Sequence, residues 1–113
     1  MSNQIITSEL LKEEPDLISL IDRFISRLPG MQEAIIKTFN DKDWETFTGL
    51  IHQMKGVGGN YGYPMLTTLC AEIEVMAKEV NFTKVESQLN EFQLMSKSIL
   101  AGSDENHKIA DQS

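Results

Sequence analysis

The chain has 113 residues, 41% of them hydrophobic, which is enough for one modest core and too few for two. A formal net charge of −7 sets nucleic acid and anionic membranes aside as partners. No window approaches the roughly 18 to 20 unbroken apolar residues of a membrane span, and the single cysteine, Cys70, excludes an internal disulfide and a cysteine-rich metal site.

The start of the chain, Met1 to Ser8, lacks the basic and apolar pattern of a secretory signal, so a cytoplasmic domain is expected. From there a 3.6-residue period recurs, with no strand-like alternation. Thr7 or Ser8 can cap a short helix over Glu9 to Glu14. Pro15 suits the first turn of a second helix, whose stripe is Leu17, Ile21, Phe24 and Leu28 with Ile18 and Ile25 beside it. Pro29-Gly30 is expected to end it. A third helix sets Met31, Ile35 and Phe39 on one face, and Asn40 to Asp43 make a turn rich in capping residues.

The fourth helix carries Trp44, Phe47, Leu50, Ile51, Met54 and Val57 and fades through Gly58, Gly59 and Gly62, the last read as a plain stop. Pro64 opens the fifth, with Leu66, Leu69, Cys70, Ile73, Met76, Ala77 and Val80; Cys70 is read there as a small core residue. The sequence Thr83-Lys84-Val85-Glu86 has the form of a capping box. It opens a last helix with Val85, Leu89, Phe92 and Leu100 in the stripe, Met95 and Ile99 adjoining, and Gly102 at its close. Residues 103–113 are polar and aperiodic and are expected to be a disordered tail. Short turns between such helices imply an all-α, antiparallel up-down four-helix bundle over residues 1–102, with an additional short N-terminal helix.

One helix face is unusual. At about 100° per residue, the apolar residues from Trp44 to Val57 share one broad sector, and His52 falls roughly opposite, toward solvent. Its neighbours one and two turns away are Thr48, Gly49, Lys55, Gly56 and Gly59. Each helical glycine costs about 1 kcal/mol against alanine. A sequence needing only a stable helix would use Glu, Lys, Ala or Gln there. A lone exposed histidine or lysine is ordinarily just solvated; the joint pattern instead reads as space cleared around one imidazole for something to approach. Neutral imidazole is a good nucleophile near neutral pH, and a lysine one turn along can offset the charge of a phosphoryl group.

The segment from His52 to Gly62 resembles the phosphorylation-site segment of histidine phosphotransfer (HPt) domains: His, then Lys at +3, Gly at +4 and often Gly at +7 and +10, here His52, Lys55, Gly56, Gly59 and Gly62. The resemblance extends over roughly Ser8 to Leu100. It departs at Val57, Gly58 and Asn60, where such domains more often carry alanine or serine. It implies a four-helix bundle that accepts a phosphoryl group on the outer ring nitrogen of His52. Lys55 would offset the phosphoryl charge, and Thr48, Gly49, Gly56 and Gly59 would form the docking face. Donor and acceptor would be aspartates in the receiver domains of a hybrid sensor kinase or response regulator. Glu74 stands where such domains carry Gln or Glu beside the histidine, and in the chemotaxis-kinase branch a glutamate there resembles a partner for the inner ring nitrogen. Read from the residues alone, Glu74 is either that partner or a solvated flank residue.

Two other functions compete. An enzyme has little to work with: the histidines are His52 and His107, the latter in the expected tail, and no phosphate-binding glycine loop follows a strand. A nucleotide-binding domain has no room. A non-catalytic helical adaptor explains the acidic surface but not the glycines around His52. The sequence therefore predicts a monomeric phosphoryl carrier with no kinase activity, cofactor or metal of its own.

Overall fold

The computed structural model describes residues 4–112; Met1 to Asn3 of the polar start, and Ser113 of the expected tail, lie outside them. Among the described residues, five α-helices follow a single 3-10 turn at Pro15–Leu17: α1 (Ile18–Asn40), α2 (Trp44–Asn60), α3 (Pro64–Lys78), α4 (Phe82–Ala101) and α5 (Ser103–Asp111). No strand occurs among the described residues. Helices α1 to α4 are joined by three-residue turns, so each runs antiparallel to the next. They close as a ring, α1 on α2 and α4, and α3 on α2 and α4. The all-α up-down bundle expected from the periodicity is the observed architecture.

Local chemistry sets the helix ends. Asp43 caps α2 by accepting from the Thr46 N–H at 3.4 Å, and Pro64 opens α3 at a position where its missing N–H costs nothing. The cap of α4 is Asn81, which accepts from the Lys84 N–H at 3.3 Å, so the helix begins before the expected capping box at Thr83. Chain reversal after α3 uses Val80 at φ 59°; Val80 is exposed and does not extend the α3 stripe into the core. Leu100, also assigned to a buried stripe, is exposed, and Ile99 takes the inner position.

The core is built from Ile21, Phe24, Leu28 and Ile35 of α1, Phe47, Ile51 and Met54 of α2, Leu66, Cys70 and Ile73 of α3, and Val85, Phe92 and Ile99 of α4. Cys70 belongs to it, as expected: burial pushes its thiol up to about 12, leaving it protonated and inert.

Three larger expectations are corrected as well. Pro29-Gly30 does not end a helix, because α1 runs through it. An interior proline removes one backbone hydrogen bond and costs about 3 kcal/mol, yet the stripe keeps its phase across it, from Leu28 to Ile35, and both sides reach the same core. The short leading helix over Glu9 to Glu14 is one turn, held by the Glu13 and Glu14 N–H groups on the Leu10 carbonyl. Ser8 does accept from the Leu10 N–H, but its hydroxyl also donates to the Tyr61 carbonyl at 2.6 Å, so the segment serves as a strap across the bundle end. Residues 103–111, finally, are not a disordered tail but helix α5, packed on α1, α4 and the 3-10 turn.

Candidate functional site

Helix α2 carries His52 outward, its side chain 66% exposed, on the side opposite Phe47, Ile51 and Met54. Glu74 approaches from α3 and is only 13% exposed. Its two oxygens divide between two partners: Oε2 lies 3.0 Å from His52 Nδ1, and Oε1 accepts from Lys55 Nζ at 2.6 Å. A carboxylate on Nδ1 favours the neutral tautomer with its proton there, which leaves the lone pair on Nε2. The Lys55 ammonium, and after it the His52 ring, hold the Glu74 carboxyl below its ordinary value against the opposing effect of burial; Lys78 adds a smaller pull in the same direction. Glu74 is therefore a contact of the imidazole and not a solvated flank residue.

The glycines divide into two kinds. A Cβ at Gly49 or Gly56 would meet nothing within 4 Å, so both leave open surface beside His52. Gly58 and Gly59 face α3. A Cβ on Gly58 would sit 2.9 Å from Thr67 Oγ1 and 3.1 Å from Leu66 Cβ, and one on Gly59 would rest 3.5 Å from the same hydroxyl. Gly62 is more than a helix stop: it takes φ 87°, and a Cβ there would run into Ser8 Oγ and the Glu9 backbone nitrogen. Thr48, grouped with the docking residues in the sequence, turns its hydroxyl to its own helix, donating to the Trp44 carbonyl at 2.9 Å.

The structure thus joins His52, Lys55 and Glu74 in one cluster beside the open surface at Gly49 and Gly56. His107 is remote from it, its Nε2 bonded to Asp22 on α1 at 2.8 Å. Among the described residues, no group of three or more His, Cys, Asp or Glu side chains is arranged to hold a metal. Sequence reasoning missed Thr67, whose hydroxyl crosses from α3 to donate to the Lys55 carbonyl at 2.6 Å. The signal was its spacing: Thr67 precedes Glu74 by seven residues, two turns back on the same helix face.

A family model for the Hpt domain matches residues 17–102, well over half of the chain. The chain belongs to the Hpt domain family. Comparison with curated proteins and with solved structures returned no match. Hpt membership places the chain among histidine phosphotransfer domains of two-component systems, which are phosphocarriers and not kinases, and implies receiver domains as partners. The match begins inside the 3-10 turn and ends at Gly102, so the strap and α5 lie outside the Hpt core. No described helix is long and apolar enough to cross a membrane.

Proposed function

We propose that this Hpt domain relays a phosphoryl group between receiver-domain aspartates, carrying it on His52 Nε2. The observation that supports this most is the single carboxylate of Glu74 shared between the inner nitrogen of an exposed imidazole and the Lys55 ammonium. In the forward step the Nε2 lone pair attacks the phosphorus of an aspartyl phosphate. The N–P bond forms, the P–O bond breaks, and its electron pair returns to the aspartate. Nδ1 keeps its proton, so the phosphorylated ring is cationic, and Glu74 stabilises that cation at 3.0 Å. Lys55 Nζ, one turn from His52, can leave Glu74 for the incoming phosphoryl oxygens; a flexible lysine suits a group that must be handed on. The return step is the reverse, onto a second receiver. Magnesium for either step belongs to the receiver's acidic residues.

The test is label transfer. Incubated with a phosphorylated receiver domain, the chain is expected to take up acid-labile, base-stable label, and none from ATP and magnesium alone. A helical adaptor stays unlabelled in both; labelling by ATP alone would mean the chain is a kinase.

The open glycines give a second test. Gly56 is helical and exposed with nothing within 4 Å of its missing Cβ, so Gly56→Ala should raise stability by about 1 kcal/mol. Gly56→Gln should also fold, yet transfer poorly. The reacting atoms must approach to about 3 to 3.5 Å before transfer, and a long side chain one turn from His52 would hold the surfaces apart. Thermal melting with transfer kinetics on both variants separates the effects. Wild-type kinetics in Gly56→Gln would show that receivers dock elsewhere.

A further inference from the structure

Glu74 can meet His52 and Lys55 together only if α3 lies at one axial position along α2. The side chains of the cluster are poor candidates for setting that position, since His52 is exposed and lysine is flexible. The fixed point lies two turns away. Thr67 Oγ1 donates to the main-chain carbonyl of Lys55 at 2.6 Å, a bond from one helix to the backbone of the other. A carbonyl oxygen has two lone pairs, so this bond can coexist with the helix's own.

Room for the hydroxyl comes from Gly58; a Cβ on Gly59 would make only an ordinary contact with it, at 3.5 Å. At Gly58 a Cβ would lie 2.9 Å from Thr67 Oγ1 and 3.0 Å from the Thr67 backbone nitrogen, closer than side chains ordinarily approach. The helices therefore touch at a notch that glycine makes and threonine fills. Thr67 and Glu74, seven residues apart, fall within about 20° of each other on the α3 wheel and about 10 Å apart along its axis. Both reach Lys55, one at its carbonyl and the other at its ammonium. A slide of α3 large enough to move Glu74 off His52 would break the Thr67 bond as well.

We propose that Thr67 is a positioning residue for phosphotransfer: anchored on the Lys55 carbonyl in the notch at Gly58, its hydroxyl sets the register at which Glu74 holds His52 Nδ1 and Lys55 Nζ. This rests on His52 being the phosphoryl acceptor, but part of its test does not. Thr67→Val keeps the shape and removes the hydroxyl; Thr67→Ser keeps the hydroxyl.

Two quantities are measured: the ring-nitrogen NMR shifts of His52, in a chain with one other histidine, and the rate of transfer from a phosphorylated receiver. Thr67→Val should shift the His52 tautomer balance away from the Nδ1–H form and slow transfer about tenfold or more, the scale of loss expected for a small misplacement of reacting groups. Thr67→Ser should restore the tautomer balance and bring the rate within about twofold of wild type. Wild-type ring shifts in folded Thr67→Val would overturn the proposal. So would a Thr67→Val chain that fails to fold together with a Thr67→Ser chain that folds but keeps disturbed His52 shifts, since Thr67 would then be packing alone. If the ring shifts respond as expected and the wild type takes no label, the positioning role stands and the phosphotransfer reading fails.

Discussion

A His52→Gln variant is expected to take up no phosphoryl label from any phosphorylated receiver domain, while its melting curve overlays that of the wild type. The two halves of that result have separate causes. Glutamine has no ring nitrogen to attack phosphorus, and the other histidine, His107, is engaged with Asp22 on α1, away from the glycine-lined surface. Loss of the nucleophile removes the covalent step outright, so the effect is complete and not graded. Stability is insensitive for a different reason. The His52 side chain is 66% exposed, and its contact with Glu74 is one of two on that carboxylate. Once the ring is gone, Lys55 still holds Glu74 at 2.6 Å, and the glutamine amide can donate to the oxygen left free. Substitutions at such exposed positions ordinarily stay within about 0.5 kcal/mol. Melting can be followed through the sole tryptophan, Trp44, at the start of α2, which stacks on Phe82 at the start of α4 with ring centroids 4.0 Å apart and meets Phe39 of α1 edge-on, and so reports how these helix ends are held together. Label persisting on the variant would move the acceptor to another residue. Loss of folding would mean that the pairing of His52 with Glu74 is structural.

The bundle and the outward histidine were legible because both are written in apolar spacing: the residues that face the core on α2 leave one sector for His52. The open sides at Gly49 and Gly56 were legible for the same reason. What spacing does not show is which glycines are bare and which are filled from across the helix pair. Gly58 passed as a minor departure, yet it makes the notch for Thr67, and only the position of α3 reveals that. Pro29 misled in the opposite way. A strong local signal said stop, while the apolar phase running from Leu28 to Ile35 said continue, and burial on both sides of the proline won. Helix α5 escaped because it does not dock through an apolar stripe: its fully buried residue is Asn106, and Ile109 and Ala110 only lean on the core. Its polar signals were present, with Asp104 and Glu105 in the first turn and Lys108 in the last, the arrangement that complements the helix dipole.

That buried asparagine carries the second large effect. Asn106→Ala is expected to lower the melting temperature by on the order of 10 °C while leaving phosphotransfer at low temperature intact. Asn106 is fully buried and bonds in two directions. Its Oδ1 accepts from the Ser8 N–H at 3.0 Å, and its Nδ2 donates to the Tyr63 hydroxyl at 3.2 Å. One side chain thus ties α5 both to the N-terminal strap and to the residue before α3. The strap carries the tie further, through the Glu9 N–H on the Gly62 carbonyl at 2.9 Å and the Ile6 N–H on the Ser98 carbonyl at 3.0 Å. Alanine would leave the Ser8 N–H and the Tyr63 hydroxyl without this partner in a buried site. Each such orphan costs about 1 to 3 kcal/mol, and a domain of this size loses roughly 4 °C per kcal/mol. Burial pushes the Tyr63 hydroxyl above its ordinary value, an effect the Asn106 bond partly offsets, so the group stays protonated and needs a hydrogen-bond partner. Lys108→Ala, two residues along on the exposed side of the same helix, is the control and should move the midpoint little. Transfer at low temperature should survive because the contacts that set the site, Thr67 to Lys55 and Glu74 to His52 and Lys55, all lie between α2 and α3 and include nothing from α5. A wild-type melt in Asn106→Ala would mean that α5 rests on the bundle without stabilising it. A melt lowered as expected but with transfer lost in the cold would mean that the clasp at the bundle end holds α2 and α3 in register as well as holding the termini.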